Sequence, residues 1–201
     1  MYQDILVKKA GLTDELKEKQ EKMTEQIRKM EWILGSLFKS VYLEEDYLAF
    51  DLDYTNLTET ISMAVSAVFK KAIDKNIEIG IEPYEDRCVL HNKKWTAEAL
   101  ANILENSIKY SPAATQIQIR VGHGGMFTEI AIKDEGIGID KEEYPFVFKR
   151  FYRGREVREM EGSGIGLYLV KMIVEKEKGY VVIKSEKGSG TVVSVFLQNT
   201  L

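Results

Sequence analysis

Cysteine, histidine and proline are all scarce here: one, two and three of them in 201 residues. The lone thiol, Cys88, has no partner for an intrachain disulfide, which fits a reducing compartment, and it is expected to pack as a small apolar residue. No apolar run approaches the length of a membrane span, and the opening residues MYQDILVKKAG lack the apolar core of a signal peptide. Neither sign of charge dominates. A net charge of −4 and a pI near 5.4 give no global attraction for nucleic acid or an anionic membrane. There is no internal repeat, no low-complexity tract and no G-x-x-x-x-G-K-[ST] phosphate loop.

What the chain does have, 44% hydrophobic residues, is enough for one full core and a smaller appendage. From Leu12 to about Glu45 there is no proline and only Gly35, and Leu16, Gln20, Met23, Ile27, Met30, Leu34, Leu37 and Val41 alternate in steps of four and three. This heptad seam predicts a long helix with one sticky stripe, which needs a partner of similar length. Residues 1–10 are too few to cover it, although Tyr2, Ile5 and Leu6 fit one or two turns of a preceding helix.

The pattern breaks near Ala49 to Tyr54. Asn56 followed by Glu59 has the form of a capping box, so a second helix is expected there, burying Leu57, Ile61, Ala64, Val65, Val68, Phe69 and Ala72. Ile77, Ile79 and Ile81 alternate as a strand, and Cys88 to Leu90 is a short second one. Strands are also expected at Gln116 to Val121 and Phe127 to Lys133, flanking a Gly122-His123-Gly124-Gly125 turn. A helix from about Gly164 to Lys178, stopped by Gly179, precedes a closing hairpin of Tyr180 to Ser185 and Thr191 to Leu197. Helices and mostly antiparallel strands in this order suggest an α+β fold, a two-layer α/β sandwich, preceded by the long helix.

Between the second and third strands, Glu98 to Pro112 reads as an amphipathic helix. With Leu100 at zero and about 100° per residue, Leu104, Ile108 and Ile103 share one face, while Asn102, Asn106 and Lys109 cluster at roughly 180° to 240°. Two carboxamides and an ammonium on one rigid face suit a metal-bound polyphosphate, although such a face alone is equally a solvated one. Asp134-Glu135-Gly136-Ile137-Gly138-Ile139 follows a strand, where a carboxylate can accept the amino hydrogen of adenine and glycines let backbone approach a flat ring. Gly162-Ser163-Gly164-Ile165-Gly166-Leu167 opens a helix, whose unpaired amides can meet phosphate oxygens. Its G-x-G-x-G spacing, with Arg158-Glu159-Met160-Glu161 before it, is not a dinucleotide fingerprint. Between the two motifs, Phe148-Lys149-Arg150-Phe151-Tyr152-Arg153 interleaves aromatic anchors with cations able to close over a triphosphate. The charged stretch from about Asp140 to Glu161 is expected to be a lid.

Together, in this order, these four segments resemble the N, G1, F and G2 boxes of the ATP-binding domain of bacterial sensor histidine kinases, in the GHKL superfamily. The resemblance spans roughly residues 52 to 199. It implies ATP and Mg²⁺ as ligands, with Asn106 on the metal, and Asn102 and Lys109 along the phosphates. Tyr110 would lie near the ribose and base, and Asp134 on the adenine amino group. It places Gly136, Gly138 and Ile139 at the adenine pocket and Arg153 and Arg150 at the γ-phosphate. Gly162, Ser163, Gly164, Gly166 and Leu167 would wrap the phosphates, and Thr191 would support the aspartate. Asn106, Lys109 and Arg153 would be the catalytic residues.

In the superfamily's hydrolytic branch a glutamate one turn before the metal-binding asparagine orients water. Asn102 stands there, and Glu105 points about 100° away from Asn106, so transfer to a protein is expected rather than hydrolysis. The alternatives are an ATPase based on Glu105 and a nucleotide-binding interaction module that transfers nothing. Residues 1–50 resemble part of the dimerisation and phosphotransfer hairpin, and 51–201 the catalytic domain. The family's H-[ED]-x-[KR]-[TN]-P type phosphoacceptor motif is absent, so neither His91 nor His123 is expected to accept phosphate. The resemblance thus implies a cytoplasmic fragment of a larger, membrane-anchored sensor. Its partners would be a copy of itself through residues 1–45, a first helix carrying the histidine, and a response regulator.

Overall fold

The structure, a computed structural model, describes residues 14–44, 50–157, 160 and 162–199. The expectations for Tyr2, Ile5 and Leu6 lie outside these residues. Contacts divide the chain into two units, residues 1–39 and 40–201.

Helix α1 (Asp14–Glu44) forms as the heptad pattern predicts. Leu16, Met23, Ile27, Met30, Leu34 and Val41 of its seam are exposed, Met30 at 62%. The last turn of α1 belongs to the second unit, where Leu43 is buried and the Tyr42 ring packs tilted against Trp95 with centroids 5.7 Å apart.

The second unit continues with β1 (Asp53–Asn56), α2 (Leu57–Asp74), β2 (Glu78–Ile81), β3 (Cys88–His91), α3 (Lys93–Tyr110), β4 (Gln116–His123) and β5 (Phe127–Lys133), then α4 (Gly166–Lys176), β6 (Tyr180–Glu186) and β7 (Gly190–Gln198). Five strands form a sheet in the order β2-β4-β5-β7-β6, antiparallel except for the parallel pair β2 and β4. Strands β1 and β3 pair separately, with Tyr54 opposite Leu90. Helices α2, α3 and α4 pack on the sheet around one core. Ile61 and Val68 enter it from α2, Leu100 and Leu104 from α3, Leu169 and Ile173 from α4, and Ile117, Ile119, Ile130, Ile132 and Val195 from the strands. Fully burying each such side chain contributes about 1.5–3 kcal/mol, so this core is what holds α3 in place.

Several sequence expectations are corrected here. Only half of the capping box forms: Asn56 Oδ1 accepts the Glu59 N–H at 3.0 Å, but the Glu59 carboxylate pairs with Lys93 of α3 instead of turning back. A cation on the neighbouring helix outcompetes a backbone amide for that charge. Phe69 is 57% exposed, at the margin of the α2 stripe. Cys88 is exposed, because it begins the short ribbon strand β3 whose later residues turn inward. His123 is the last residue of β4 rather than part of a loop. At the end of α4 the left-handed residue is Lys178, with φ of 58°. Gly179 is required for a different reason: a β-carbon there would collide with the Phe196 carbonyl of β7.

Candidate nucleotide site

The α3 helix is capped at its start by Asn92, whose Oδ1 accepts the Trp95 N–H at 3.1 Å. Leu100, Ile103, Leu104 and Ile108 are buried, as the wheel predicts, leaving Asn102, Asn106 and Lys109 partly exposed on the other side. Asn102 Nδ2 donates to the Glu98 carbonyl one turn back, at 2.8 Å. Among the described residues the Asn106 carboxamide has no hydrogen-bond partner. Lys109 Nζ donates to Tyr110 Oη at 3.0 Å and sits 4.6 Å from the centre of that ring.

At the C-terminal end of the helix stands Asp134, 6% exposed at the end of β5. Its Oδ1 accepts N–H groups from Gly136 at 2.9 Å and Thr191 at 3.0 Å, and its Oδ2 accepts the Ser107 hydroxyl at 3.0 Å. Burial pushes the carboxyl above the ordinary aspartate range, and these three donors work against that shift. Thr191 therefore supports the aspartate through its backbone, also accepting the Asp134 N–H at 2.9 Å, while its hydroxyl pairs with Ser185 Oγ at 2.8 Å.

The loop after Asp134 is stapled to the β6–β7 hairpin. Ile139 N–H donates to Ser185 Oγ at 2.8 Å, and Gly188 N–H to the Ile137 carbonyl at 2.7 Å. Gly138, with φ of 73°, cannot be another residue, because a β-carbon would strike the Glu186 carbonyl. Its glycine is thus required by the hairpin beside it. Gly136 backs onto the other side, where a β-carbon would lie 3.1 Å from the Tyr110 carbonyl.

The second glycine motif meets α3 directly. A β-carbon at Gly166 would lie 3.1 Å from Asn102 Oδ1 and 3.8 Å from Asn106 Nδ2, and one at Gly162 only 2.7 Å from Lys109 Nζ. Gly166 is the first residue of α4, and no side chain caps that helix, since Ser163 Oγ takes the Ile165 N–H at 3.2 Å. Unpaired N–H groups of Gly166, Leu167 and the next residue therefore start beside the polar face of α3, a geometry that favours an anion. Gly164, with φ of 71°, packs under the Tyr152 carbonyl, where a β-carbon would come within 2.5 Å.

Arg150 and Arg153, expected at the γ-phosphate, are engaged with protein groups. Arg153 Nη2 donates to the carbonyls of Val157, at 2.6 Å, and Met160. Arg150 Nη1 lies 3.4 Å from Glu44, and its Nε is buried without a partner. The segment between β5 and α4 carries short helical turns at Lys141–Glu143 and Arg155–Val157. Glu143 accepts the Arg155 N–H at 2.9 Å, Tyr144 bonds the backbone of Ser185, and Glu156 pairs with Lys187.

The histidines are held for structural reasons. His91 is fully buried; its Nδ1 faces the Val89 carbonyl at 2.8 Å, so it carries the proton, and Nε2 accepts from Thr60 Oγ1 at 2.7 Å. Burial lowers its pKa, which favours the neutral ring. His123 bonds Thr128 Oγ1 at 3.1 Å and the Glu85 carbonyl at 2.7 Å. Glu105 is paired with Lys71 of α2, away from Asn106.

Sequence reasoning brought Asn102, Asn106, Lys109, Tyr110, Asp134, the glycines and Thr191 to one site, but it missed Ser107 and Ser185. Ser107 had a signal: it falls at about 340° on the helix wheel, inside the apolar face, where a polar residue needs a buried partner. Ser185 had none, because its role depends on the hairpin register.

A helix with a polar face, a buried aspartate at one end of it and an open helix start beside its amides define a GHKL-type nucleotide-binding catalytic domain. Residues 91–201 match the family described as histidine kinase-, DNA gyrase B- and HSP90-like ATPase, and the chain belongs to that family. Among its relatives are the sensor protein kinase PmrB of Pseudomonas aeruginosa, 31% identical over 175 residues (87% of this chain, 36% of the relative), and the sensor-like histidine kinase SenX3 of Mycolicibacterium smegmatis, 30% identical over 190 residues (94% and 50%). The chain thus spans about a third to a half of the length of these relatives. The solved mycobacterial sensor histidine kinase MprB aligns with a TM-score of 0.63 and 27% identity, covering 74% of this chain and 97% of that one. The Acinetobacter baumannii histidine kinase AdeS, at 17% identity, shares the fold with a TM-score of 0.76, covering 98% and 90%. These similarities make this the ATP-binding catalytic domain of the sensor histidine kinase type. No helix among the described residues is long and apolar enough to cross a membrane.

Proposed function

We propose that this chain binds Mg·ATP between α3, the Asp134 loop and the start of α4, and transfers the γ-phosphoryl group to a histidine on a first helix outside it. The observation that carries the reading is the approach of Gly166, at the uncapped start of α4, to Asn102 and Asn106 on the polar face of α3. Among the described residues no three His, Cys, Asp or Glu side chains converge to hold a metal. Asn106 Oδ1 would be the chain's own ligand to a Mg²⁺ carried by the nucleotide. Bound in that way, Mg²⁺ would supply charge neutralisation at the phosphates. Lys109 would add a point charge and the α4 N–H groups would bond phosphate oxygens, while Tyr110 would border the ribose and base.

Asp134 would accept the adenine amino hydrogen, with Gly136, Gly138 and Ile139 shaping the pocket around it. Arg153 and Arg150 would exchange the Val157 and Met160 carbonyls and Glu44 for the terminal phosphate when the lid closes. The unpartnered Nε of Arg150 supports that exchange, because a buried donor left without an acceptor costs about 1–3 kcal/mol. The pairing of Glu105 with Lys71 argues against hydrolysis with Glu105 as base, and the buried His91 and doubly bonded His123 argue against either as acceptor.

Two measurements test this reading. Calorimetry with Mg·ATP is expected to show binding that Asp134→Ala weakens by roughly ten- to a hundredfold, the worth of a hydrogen bond to a charged group; equal affinity would remove the adenine assignment. Incubation with γ-labelled ATP is expected to leave this chain unlabelled and to label a longer kinase fragment that supplies the histidine-bearing helix. The downstream acceptor would be a response regulator. Acid-labile label on this chain alone, lost in His91→Ala or His123→Ala, would place the acceptor within it.

A further inference from the structure

Asp134 is held by two kinds of donor. The N–H groups of Gly136 and Thr191, both on Oδ1, are backbone groups that come with the turn and the sheet. The Ser107 hydroxyl is the one side-chain donor among the described residues, and it alone bonds Oδ2, at 3.0 Å. Ser107 is 2% exposed, on the inner face of α3 and one residue past Asn106. Each carboxylate oxygen has room for about two donors, so Oδ1 is filled and Oδ2 keeps one open position. That position is the one through which a ligand can be read.

What it reads depends on whether Oδ2 carries a proton. An ionised carboxylate only accepts, so it matches an amino group and repels a carbonyl oxygen. A neutral carboxyl would have its proton on Oδ2, because Oδ1 is occupied by two N–H donors, and Oδ2 would then donate to a carbonyl oxygen. Burial favours that neutral form, whereas a hydroxyl donated to Oδ2 opposes it.

We propose that Ser107 is the positioning residue that sets the base selectivity of this site: by donating to Asp134 Oδ2 it keeps the carboxylate an acceptor and directs its open position toward a 6-amino purine rather than a 6-oxo purine. The proposal rests on the reading that Asp134 faces the base, and it adds the residue that makes the aspartate discriminate. A residue that served packing alone would affect both purines alike.

The test is titration of the full chain, wild type and Ser107→Ala, with Mg·ATP and Mg·ITP, which differ at the base in carrying an amino group or an oxygen on carbon six. The wild type is expected to prefer ATP. In Ser107→Ala the ratio of the two affinities should fall about tenfold, mostly through lost ATP affinity, as expected for one hydrogen bond to a charged group. Alanine is a good helix former, and far-UV circular dichroism checks that α3 persists. Ser107→Cys, with a weaker donor in nearly the same volume, is expected to give an intermediate ratio and decides the matter should the alanine variant not fold. A wild-type ratio in the folded variants, even with both affinities lowered, overturns the role of Ser107 while the nucleotide reading stands. A wild-type chain that binds neither nucleotide overturns both.

Discussion

Glu177, 1% exposed just after α4, is a buried acid with no place in the nucleotide site. Its Oε1 accepts the Asn92 N–H at 2.9 Å and the Thr96 hydroxyl at 2.6 Å, joining the end of α4 to the first turn of α3, while Oε2 has no partner. Burial pushes its pKa up to about 7, from an ordinary value of 4.5. Because the folded pKa is the higher one, the folded state holds the proton more tightly, and stability falls as pH rises from about 4.5 to about 7. The loss from this group is at most about 3–3.5 kcal/mol, and the start of α3, which favours a negative charge, offsets part of it. Denaturant unfolding near pH 5 and near pH 8 should therefore show a larger loss of stability with pH in the wild type than in Glu177→Gln. Equal slopes would mean that Glu177 stays charged in its site. Glu177 was not legible in the sequence. It reads as one of several charges before Gly179, and only the packing of α4 against α3 removes it from water.

At the scale of elements, the segment between β5 and α4 is the one that the nucleotide reading requires to close. From Asp140 onward its ties to the rest include Tyr144 at Ser185, Glu156 at Lys187 and Arg150 at Glu44, the last two being ion pairs on partly exposed side chains. Exposed pairs of this kind contribute about 0–1 kcal/mol each, so local opening is cheap. Adding Mg·ATP should slow amide exchange in residues 150–157 and 162–168 and leave the amides of β4, β5 and β7 unchanged. Lid exchange equally slow with and without nucleotide would count against closure over a ligand. The elements themselves were largely legible: α1 and β5 fall within two residues of where periodicity placed them, whereas α3 starts at Lys93, five residues before the Glu98 at which the amphipathic reading begins, on a cap by Asn92 that the reading did not use. Strand β1 was not, because Asp53 to Asn56 has no apolar alternation and is a strand only by pairing with β3.

For the whole molecule, the exposed seam of α1 is the feature with the largest consequence. Leu16, Met23, Ile27, Met30, Leu34 and Val41 repeat over several turns, with Met23 58% and Met30 62% exposed. An apolar stripe of this length favours pairing in water. Sedimentation at micromolar concentration should show self-association, and Met23→Glu combined with Met30→Glu should shift the chain toward monomer by burying charge in the seam. A wild type that stays monomeric would assign the stripe no partner in its own copies.

The sequence by itself determined the local features: the heptad helix, the polar and apolar faces of α3, the turns that require glycine, and four motifs whose order identifies the family. These follow from side-chain periodicity and backbone conformation within a few residues, which any chain carries in its primary structure. Tertiary structure alone decided which donors meet Asp134, why Gly138 and Gly179 cannot change, where Glu59 and Glu105 place their charges, and that Arg150 and Arg153 rest on protein groups. Most of those outcomes depend on segments distant in sequence arriving at one place, as Ser107 and Thr191 do at Asp134 and Lys71 does at Glu105, which no local propensity specifies.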